Sequence, residues 1–568
     1  MQSKKLTLLL SSPTLASRFS LAVTSALLML FITATAAHAQ TFARLFSFDG
    51  TDGRSPQSPM VQGVDGNLYG TTYTGGSSVC SYGCGIVFKI TPGGKETSLY
   101  QFCKTKCTDG AHPTAGLVLA TNGDFYGTTY YGGAHGAGTV FKITAAGVLT
   151  TLYSFCASKN CPDGTNPYGG LVQATDGNFY GTTQYGGLHS DGTVFRITPA
   201  GGFESLHSFH YPVDGEWPYG TLIQATDGYL YGTTYFGGEL KPGVAASGTV
   251  FRISLGGTLA TVHPFNFNKG EGGYIQSGVI QASDGNLYGT TGSGGGNCEC
   301  GTVFRVTPAG KLTTLHDFSN SDGTHPYAAL MQATDGNLYG TTYGGGASIF
   351  GTLFKITTAG TFTLLHSFDD KDGSDPYDAP IQSTNGSLYG TTSLGGADLT
   401  GTIFRYSLPV SPFVEALPTV GRVGATVSIL GNNLLGTTEV AFNGTPAKFT
   451  VVSGTQILAT IPADATTGAV EVTTPKTTLK SNLEFRVTPQ ITEFAPTSGP
   501  VGTIVTITGV SLTQATKVTF GGVKSADVSI DSDTQITATV PTGAVTGKIA
   551  VFTPGGAAVS ATSFDVTP

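Results

Sequence analysis

Apolar and polar residues alternate in short runs along residues 41–408, and turn residues separate the runs. Within residues 170–209 the runs are GLVQAT, FYGTTQY, GTVFRIT and FESLHSF, separated by Asp-Gly-Asn, Gly-Gly and Pro-Ala-Gly-Gly. A two-residue period bounded by glycine, proline and asparagine is typical of β-strands joined by tight turns. The pattern therefore predicts four short antiparallel strands in this unit.

The same unit recurs along the chain. Its second strand carries [LF]-Y-G-T-T, and its third strand carries G-x-x-F-[KR]. The second-strand tyrosines are Tyr69, Tyr126, Tyr180, Tyr231, Tyr288, Tyr339 and Tyr389. A repeat of about 50 residues that contains four strands is typical of a β-propeller blade. The spacing predicts seven such blades.

The fourth-strand motif is displaced by one unit. It occurs as Leu45-Phe46-Ser47-Phe48 before the first complete repeat, and it is missing after the last, where the chain runs into Pro409. We therefore predict an all-β fold in which residues 41–408 form a seven-bladed β-propeller closed by the N-terminal strand. Closure removes two free sheet edges, which otherwise invite aggregation. A linear solenoid is the alternative, but it does not explain the displaced strand.

Residues 412–488 and 489–568 contain a different pair of repeats. Each contains V-x-F-[NG]-G and then I-x-A-[TV]-[IV]-P, with further short alternating runs on either side. About seven short strands in roughly 80 residues are typical of a small β-sandwich. We predict two immunoglobulin-like domains with these boundaries.

Two family resemblances rest on these motifs. D-G-N-[LF]-Y-G-T-T-x-x-G-G and G-T-[VIL]-F-[KR] in residues 60–408 resemble the GloVer repeats of exported bacterial proteins, and the paired glycines resemble those of kelch blades. Leu417-Pro418-x-x-Gly421 and Ala495-Pro496-x-x-Gly499 are similar to the opening of IPT/TIG domains. The first resemblance implies a surface or secreted protein of unassigned activity. The second implies a module of cell-surface receptors, polysaccharide-active enzymes and some DNA-binding factors.

The N-terminus has the pattern of a secretory signal peptide. Lys4, Lys5 and Arg18 accompany an apolar run over residues 21–35, and Ala37-His38-Ala39 supplies an A-x-A cleavage site. We predict a signal peptide over residues 1–39 and a mature chain that is secreted, held at the surface of a bacterium or kept in its periplasm. A membrane anchor is the alternative, but the run is shorter than the ~20 residues of a membrane span. We therefore expect no membrane span after signal removal.

Composition limits the partners of the chain. Its 82 glycines and its charged fraction of 11% exclude a helical bundle or coiled coil. The hydrophobic fraction of 39% is enough for a core, which excludes disorder. A net charge of −8 makes the chain a poor partner for phosphate backbones, so we expect no nucleic acid. We expect a monomer.

The eight cysteines fall in close pairs. An even number of cysteines in an exported chain predicts disulfides. The predicted pairs are Cys80/Cys84, Cys103/Cys107, Cys156/Cys161 and Cys298/Cys300. A four-thiolate zinc site formed by the first two pairs is the alternative, although no pair has C-x-x-C spacing. The C-x-C pair would close a very tight ring.

Motifs of known chemistry are missing from the sequence. It contains no G-x-S-x-G, H-E-x-x-H or phosphate-binding loop, so we predict no catalytic residue, cofactor or metal. The best calcium candidate lacks the order of an EF-hand loop; it consists of Asp369, Asp370, Asp372, Asp375 and Asp378. A carboxylate pair drawn from different blades stays open. The acids outside the repeat positions are Glu216, Glu239, Glu271 and Glu299.

Aromatic residues gather in the loops between second and third strands and between blades. These loops emerge on one side of a propeller, and amphipathic rings there stack on sugars or anchor protein partners. The predicted ligand-binding residues are Tyr131, Tyr168, Tyr185, Trp217, Tyr219, Tyr235, Phe236, Tyr327 and Tyr377. The alternative is that the tyrosines pack between blades.

These observations favour an exported, non-enzymatic binding or adhesion protein. Its rim would bind a glycan or a surface protein, and the immunoglobulin-like domains would act as spacers. One alternative is a polysaccharide lyase or glycosidase with carboxylates in the propeller channel. The other is a structural component of the envelope.

Overall fold

The computed structural model describes residues 41–76, 79–241, 244–296 and 298–568. The predicted signal peptide lies outside the described residues. Within the described part of the chain the only helix is a single 3₁₀ turn, Phe267–Lys269, so the all-β prediction is confirmed. No helix in these ranges is long and apolar enough to cross a membrane.

The repeat region forms seven four-stranded antiparallel sheets, which we number along the chain. Sheet 1 contains Val61–Gln62, Leu68–Thr72, Ile86–Ile90 and Glu96–Gln101. Sheet 2 contains Val118–Leu119, Phe125–Thr129, Thr139–Ile143 and Leu149–Ser154. Sheet 3 contains Val172–Gln173, Phe179–Thr183, Thr193–Ile197 and Phe203–Ser208. Sheet 4 contains Ile223–Gln224, Leu230–Thr234, Thr249–Ile253 and Leu259–Pro264.

The remaining three sheets repeat the same order of strands. Sheet 5 contains Ile280–Gln281, Leu287–Thr291, Thr302–Val306 and Leu312–Asp317. Sheet 6 contains Met331–Gln332, Leu338–Thr342, Thr352–Ile356 and Phe362–Ser367. Sheet 7 contains Ile381–Gln382, Leu388–Thr392, Thr402–Tyr406 and, from the N-terminus, Phe42–Ser47. A short ribbon of Glu239–Lys241 and Val244–Ala245 extends the loop between the second and third strands of sheet 4.

The second strand of each sheet is buried along its whole length. Its central glycine leaves room for the phenylalanine of the third strand, since a Cβ on Gly70 would lie 2.5 Å from the Phe88 ring. Its tyrosine is buried too, and the Tyr69 hydroxyl donates to the Asp65 carboxylate of the preceding turn at 2.9 Å. Packing within the sheet therefore explains the L-Y-G-T-T motif.

The first strand is shorter than its sequence pattern predicts. Residues 170–175 alternate like a six-residue strand, but only Val172–Gln173 pairs with the second strand. Gly169 and Gly170 come before this pairing and leave the sheet. In every sheet the first strand is an edge strand with only two paired residues.

Successive sheets are joined by a repeated side-chain contact. The glutamine of a first strand accepts a hydrogen bond from a backbone N–H in the turn of the preceding sheet, as Gln173 does from Thr121 at 3.0 Å. The other acceptor–donor pairs are Gln224–Thr175, Gln281–Thr226, Gln332–Ser283, Gln382–Thr334 and Gln62–Thr384. The last pair joins sheet 1 to sheet 7.

Two β-sandwich units follow. In the first, one sheet contains Glu415–Leu417, Thr426–Leu430, Gln456–Thr460 and Lys448–Val451. The facing sheet contains Thr445–Pro446, Glu439–Phe442, Val470–Thr473 and Thr478–Lys480. Val420–Gly421 pairs in parallel with Arg486–Val487. Residues from both sheets share one buried core, including Ile429 and Val472.

The second unit has the same plan. One sheet contains Gln490–Ala495, Ile504–Val510, Gln535–Thr539 and Val528–Ser532. The facing sheet contains Ser498–Gly499, Gly556–Val566, Gly547–Thr553, Lys517–Phe520 and Val523–Lys524. The Gln514 side chain links the units, because it donates to the Thr467 carbonyl at 3.0 Å and accepts from the Thr467 N–H at 2.8 Å.

The first sandwich packs on the turns between first and second strands of the repeat region. Thr455 donates to the carbonyl of Val64 at 2.8 Å, and Asn432 donates to the Thr384 hydroxyl at 2.6 Å. Leu119 and Leu430 belong to one buried hydrophobic cluster. Leu119 occupies the position that is glutamine in the other six repeats. The repeat that departs from the inter-sheet contact is therefore one of those that the sandwich touches.

Candidate functional site

Each of the seven sheets carries an equivalent residue just before its first strand, at the end away from the first sandwich, and we call its place the ring position. It is the residue two places after the glycine that precedes each first strand, and six of the seven precede a proline. The ring residues are Ser55, His112, Asn166, Trp217, Tyr274, His325 and Asp375. All seven have a positive φ between 52° and 57°. A positive φ costs a side-chain-bearing residue about 1–3 kcal/mol, so the surrounding structure must impose it.

Hydrogen bonds from both sides impose this conformation. The N–H of each ring residue donates to a carbonyl in the loop of the preceding sheet, as Trp217 does to Asp191 at 3.0 Å. The corresponding acceptors for Ser55, His112, Asn166, Tyr274, His325 and Asp375 are Thr400, Cys84, Ala137, Ser247, Cys300 and Phe350.

The backbone carbonyls of the ring residues also accept hydrogen bonds. The Trp217 carbonyl accepts from the N–H of Tyr235 at 3.1 Å, just after the second strand of its own sheet. The equivalent donors to the other six carbonyls are Tyr73, Tyr130, Gln184, Gly292, Tyr343 and Ser393. The backbone is thus fixed identically in every repeat while the side chain differs. A constant backbone with varying side chains is an arrangement that can serve for recognition.

Seven of the nine predicted ligand-binding residues come together in one aromatic patch. Trp217 lies at its centre, with ring centroids 5.7 Å from Tyr185 and 5.3 Å from Phe236. The patch continues from ring to ring at centroid distances of 4.5–6.2 Å. Its members are Tyr131, Tyr168, Tyr185, Trp217, Tyr219, Tyr235 and Phe236, joined by Tyr130 and Tyr274.

The other two predicted residues form a smaller group in sheets 6 and 7. Tyr327 and Tyr377 lie 5.7 Å apart and share Tyr343 as a neighbour. The tyrosines thus pack on one another, as the inter-blade alternative expects, but they keep one part accessible. Tyr131 is 44% exposed, and the other eight predicted residues are partly exposed.

Hydroxyl and amide groups are interleaved with the rings. The Tyr130 hydroxyl donates to the Gln184 side-chain oxygen at 2.7 Å, and the Gln184 amide donates to the Tyr219 hydroxyl at 2.7 Å. Burial raises the pKa of Tyr130 and Tyr219, so both phenols stay protonated at physiological pH. The patch therefore offers neutral hydroxyl groups beside apolar ring faces.

A cavity of about 200 Å³ lies beneath the ring position and is lined by all seven repeats. The residues two places after the ring position contribute their side chains to it. These are Gln57, Thr114, Tyr168, Tyr219, Gln276, Tyr327 and Tyr377. Asp378 is the one charged side chain in this lining. Burial raises the pKa of Asp378 to about 7.

Asp378 is the residue that sequence reasoning missed as a cavity residue. The other six repeats have a small residue at its position: Ser58, Ala115, Gly169, Gly220, Ser277 and Ala328. A single acid among six small residues was the available signal. The sequence interpretation grouped Asp378 with its neighbours as a calcium candidate, but Asp372 bonds to His366 at 2.8 Å and Asp375 is a ring residue. The cluster is therefore divided among different roles.

The four non-repeating glutamates do not join Asp378. Among the described residues that line the cavity there is no glutamate. Glu271 lies 3.4 Å from His263, and Glu216 pairs across a bridge with Phe236 outside the cavity. The carboxylate pair that a channel glycosidase would require does not form in this lining.

The structure contains all four predicted disulfides: Cys80–Cys84, Cys103–Cys107, Cys156–Cys161 and Cys298–Cys300. They lie in the loops at the ring end of the sheets. The Cys84 and Cys300 carbonyls accept the bonds of His112 and His325, so these bridges stabilise loops that hold the ring position. The sulfurs of the first two pairs lie within 4.8 Å of one another, which is also the arrangement that the zinc alternative requires.

Thiol labelling distinguishes disulfides from zinc at this cluster. We expect Cys80, Cys84, Cys103 and Cys107 to resist alkylation in the unreduced protein and to react fully after reduction under denaturing conditions, because disulfide sulfurs are not nucleophilic thiolates. Mass spectrometry of the labelled peptides measures this. Alkylation without reductant, together with one bound zinc per chain, would instead support the four-thiolate site.

The comparisons with known proteins agree with this architecture. The profile of the Gloeobacter/Verrucomicrobia repeat matches residues 31–245 and 240–449. The chain belongs to the Gloeobacter/Verrucomicrobia repeat family. The IPT/TIG domain profile matches residues 412–487 and 489–566 of this family member, so its two sandwiches are IPT/TIG domains. The comparison with curated proteins finds no match.

Several solved structures are similar to this repeat-family chain. Virginiamycin B lyase from Staphylococcus aureus is 14% identical, with 65% of this chain and 99% of that chain covered at a TM-score of 0.42. A fungal alcohol oxidase is 13% identical, with 93% and 99% covered at a TM-score of 0.41. A surface glycan-binding protein from Prevotella bryantii is 17% identical, with 27% and 39% covered at a TM-score of 0.21. At these TM-scores the likeness supports no conclusion about ligand or activity.

Proposed function

We propose that the chain is an exported, non-enzymatic binding or adhesion protein whose ring face holds a glycan or a surface protein. The observation that carries the proposal is the ring position. Its backbone is fixed identically in seven repeats, its side chains differ, and its one tryptophan lies at the centre of a partly exposed aromatic patch. Partly exposed aromatic residues on a rigid frame are the usual anchors of recognition sites.

The proposal includes a closed seven-bladed propeller over residues 41–408. Two sets of contacts support it, because each runs from sheet to sheet and joins sheet 7 to the start of the chain. The Thr384 N–H donates to Gln62 at 2.9 Å, and the Ser55 N–H donates to the Thr400 carbonyl at 2.8 Å. In a linear solenoid, sheet 7 and the start of the chain would lie apart, so neither contact would form.

The domain boundaries that we propose are 41–408 for the propeller, and 412–488 and 489–568 for the two IPT/TIG domains. The first sandwich contacts the turn end of the sheets through Thr455 and Asn432. In an antiparallel blade the ring lies at the other end, so the sandwiches leave the ring face open and act as spacers. We propose a monomer, since this arrangement presents the ring face without a second copy.

The proposed location is outside the cytoplasm of a bacterium, either secreted, on the cell surface or in the periplasm. Four disulfides support this, because cytosolic thiols are kept reduced. The pattern of residues 1–39 supports export in the same direction.

Among ligands, we favour a glycan. Sugars present apolar ring faces edged by hydroxyls, and the patch presents aromatic faces edged by the Tyr130 and Tyr219 hydroxyls and the Gln184 amide. The single carboxylate in the cavity supports binding without hydrolysis, because glycosidases use a pair of carboxylates.

The test incubates the mature chain with immobilised cellulose, xylan, chitin, chitosan and alginate. Retention on each is measured together with the release of new reducing ends. We expect retention on at least one polysaccharide without release of ends. Release of reducing ends would contradict the proposal that the chain is not an enzyme. If none of the five polysaccharides is retained, a surface protein becomes the favoured ligand instead of a glycan.

A further inference from the structure

We propose that the cavity beneath the ring position is a subsite for an ammonium group on the ligand, which on a glycan means an unacetylated amino sugar. This inference rests on the proposed function and names the ligand class of one part of the same face. It comes from the lining of the cavity, in which Asp378 stands alone among neutral groups.

The setting of Asp378 leaves its charge without a protein partner. The carboxylate accepts one hydrogen bond, from the N–H of Ala379 at 2.7 Å, and the carbonyl of Asp378 accepts from the Thr341 hydroxyl at 3.0 Å. No lysine, arginine or histidine is among the described residues that line the cavity. No ion pair in the described part of the chain involves Asp378.

A partly buried carboxylate that lies in a cavity among neutral groups is less stable in its charged form than a carboxylate in water. Burial penalises the charged form, and a positive ligand group restores the lost stabilisation. The tyrosines around the carboxylate add to this preference, since aromatic rings attract cations. Four of them line the same cavity: Tyr168, Tyr219, Tyr327 and Tyr377.

The size of the cavity limits what enters. At about 200 Å³ it is smaller than the 300–1,000 Å³ of typical small-molecule pockets. It therefore accepts one substituent or the end of a chain while the rest of the glycan stays on the aromatic patch. An acidic sugar would be repelled by Asp378, so uronic acids are excluded from this subsite.

The other titratable groups around Asp378 are tyrosines and one acid. Tyr168 of sheet 3, Tyr219 of sheet 4, Tyr327 of sheet 6 and Tyr377 of sheet 7 face the cavity, and burial raises the pKa of each. Asp375 lies three residues before Asp378, and burial raises its pKa as well. The contributions from sheets 1, 2 and 5 are Gln57, Thr114 and Gln276, which do not titrate.

The sign of the pH dependence follows from the raised pKa of Asp378. Below pH 7 the carboxyl is largely protonated, and above it the carboxylate is available to a cation. A ligand whose positive charge does not change with pH should therefore bind more tightly as the pH rises from 6 to 8. A trimethylated chitosan oligomer carries such a charge.

The experiment compares three tetrasaccharides by calorimetry: fully acetylated chitotetraose, its fully deacetylated form and the trimethylated form. We expect the trimethylated oligomer to bind at least tenfold more tightly than the acetylated one at pH 8 and to lose most of this preference at pH 6. The deacetylated oligomer should show a smaller preference, because its amines lose charge as the carboxyl gains it. The Asp378→Asn variant should lose the preference and the pH dependence. The matched control is Asp531→Asn, which removes an exposed carboxylate of the second sandwich.

A second measurement checks that Asp378→Asn folds and that the carboxylate is unpartnered. Because the folded-state pKa lies above the unfolded value, the free chain should lose stability as the pH rises from 5 to 8. The thermal midpoint of Asp378→Asn should fall less over this range than that of the wild type.

Equal affinity of the wild type for charged and acetylated oligomers would overturn the subsite, and so would an unchanged preference in Asp378→Asn. Retention of neutral polysaccharides by the same preparations would show that the proposed function stands while this subsite fails. Loss of all retention would count against both.

Discussion

Replacing Trp217 by alanine is expected to weaken retention on the polysaccharide that the chain binds by at least about tenfold. Large aromatic residues at the centre of a recognition surface commonly contribute 2 kcal/mol or more, which corresponds to about 30-fold in affinity. Trp217 is in this position, because Tyr185, Tyr235 and Phe236 surround it at centroid distances of 5.3–6.2 Å. Retention on the immobilised polysaccharide, measured over a concentration series, gives the change.

The chain offers a matched control at the opposite end of the same sheet. Tyr229 is 37% exposed and lies in the turn between the first and second strands of sheet 4. Tyr229→Ala removes an exposed aromatic from the face that the proposal leaves unused, so retention should change by less than about twofold. Equal losses in the two variants would mean that the ring face has no special role.

A glycine at the same position separates binding from stability. Since Trp217 has a φ of 54°, glycine relieves backbone strain that alanine keeps. Trp217→Gly should be about 1 kcal/mol more stable than Trp217→Ala, yet it should bind no better. Improved retention in the more stable variant would show that the loss in Trp217→Ala came from folding.

Phe48→Ala is expected to lower the free energy of unfolding by about 3–5 kcal/mol, the range for removing a buried aromatic ring. Phe48 is fully buried, and its ring packs 5.4 Å from that of Phe88 of sheet 1. It follows the strand Phe42–Ser47, which pairs with Thr402–Tyr406 of sheet 7. It thus has contacts to the first and last sheets of the repeat region, although it precedes all complete repeats. Chemical denaturation followed by tyrosine and tryptophan fluorescence measures the loss.

Two further variants make the result specific. Phe102 is the equivalent residue of sheet 1 and is also fully buried, so Phe102→Ala should cost the same within about 1 kcal/mol. Val148 is 63% exposed, and Val148→Ala should change stability by less than about 0.5 kcal/mol. If Phe48→Ala lowered the free energy of unfolding as little as Val148→Ala, the N-terminal strand would contribute little to stability. Such a result would contradict closure of the propeller by this strand.

The strands were predictable because each depends on local pattern. Alternation and turn residues identified the second, third and fourth strands of sheet 3, which the structure places at Phe179–Thr183, Thr193–Ile197 and Phe203–Ser208. The first strand was overestimated, because alternation in residues 170–175 continues past the point where Gly169 and Gly170 turn towards the cavity. A period of two describes which residues share a face, but it does not report where pairing stops.

The sequence predicted the site only where its residues share one chemical type, as the aromatic residues do. The aromatic residues of the patch were identified from their loops, but the sequence did not group Trp217 with Ser55 and Asp375 as one ring, because their side chains have nothing in common. Their shared property is a backbone conformation, which is held by one hydrogen bond to the preceding sheet and one within the same sheet. The sequence did not predict Asp378 as a cavity residue for a related reason. Its neighbours in sequence are acids, whereas its neighbours in space are tyrosines.

At the ring position the backbone atoms stabilise the fold, while the side chains are free to serve binding. Its N–H bonds to the loop of the preceding sheet and its carbonyl bonds within its own sheet, and both groups are present in every amino acid except proline, which lacks the N–H. A change of side chain at any of the seven places therefore alters the chemistry of the face while the joints between sheets stay intact. Among the residue types that tolerate a positive φ, seven independent places allow many combinations of side chains, so new specificity can arise by substitution without a change of the backbone.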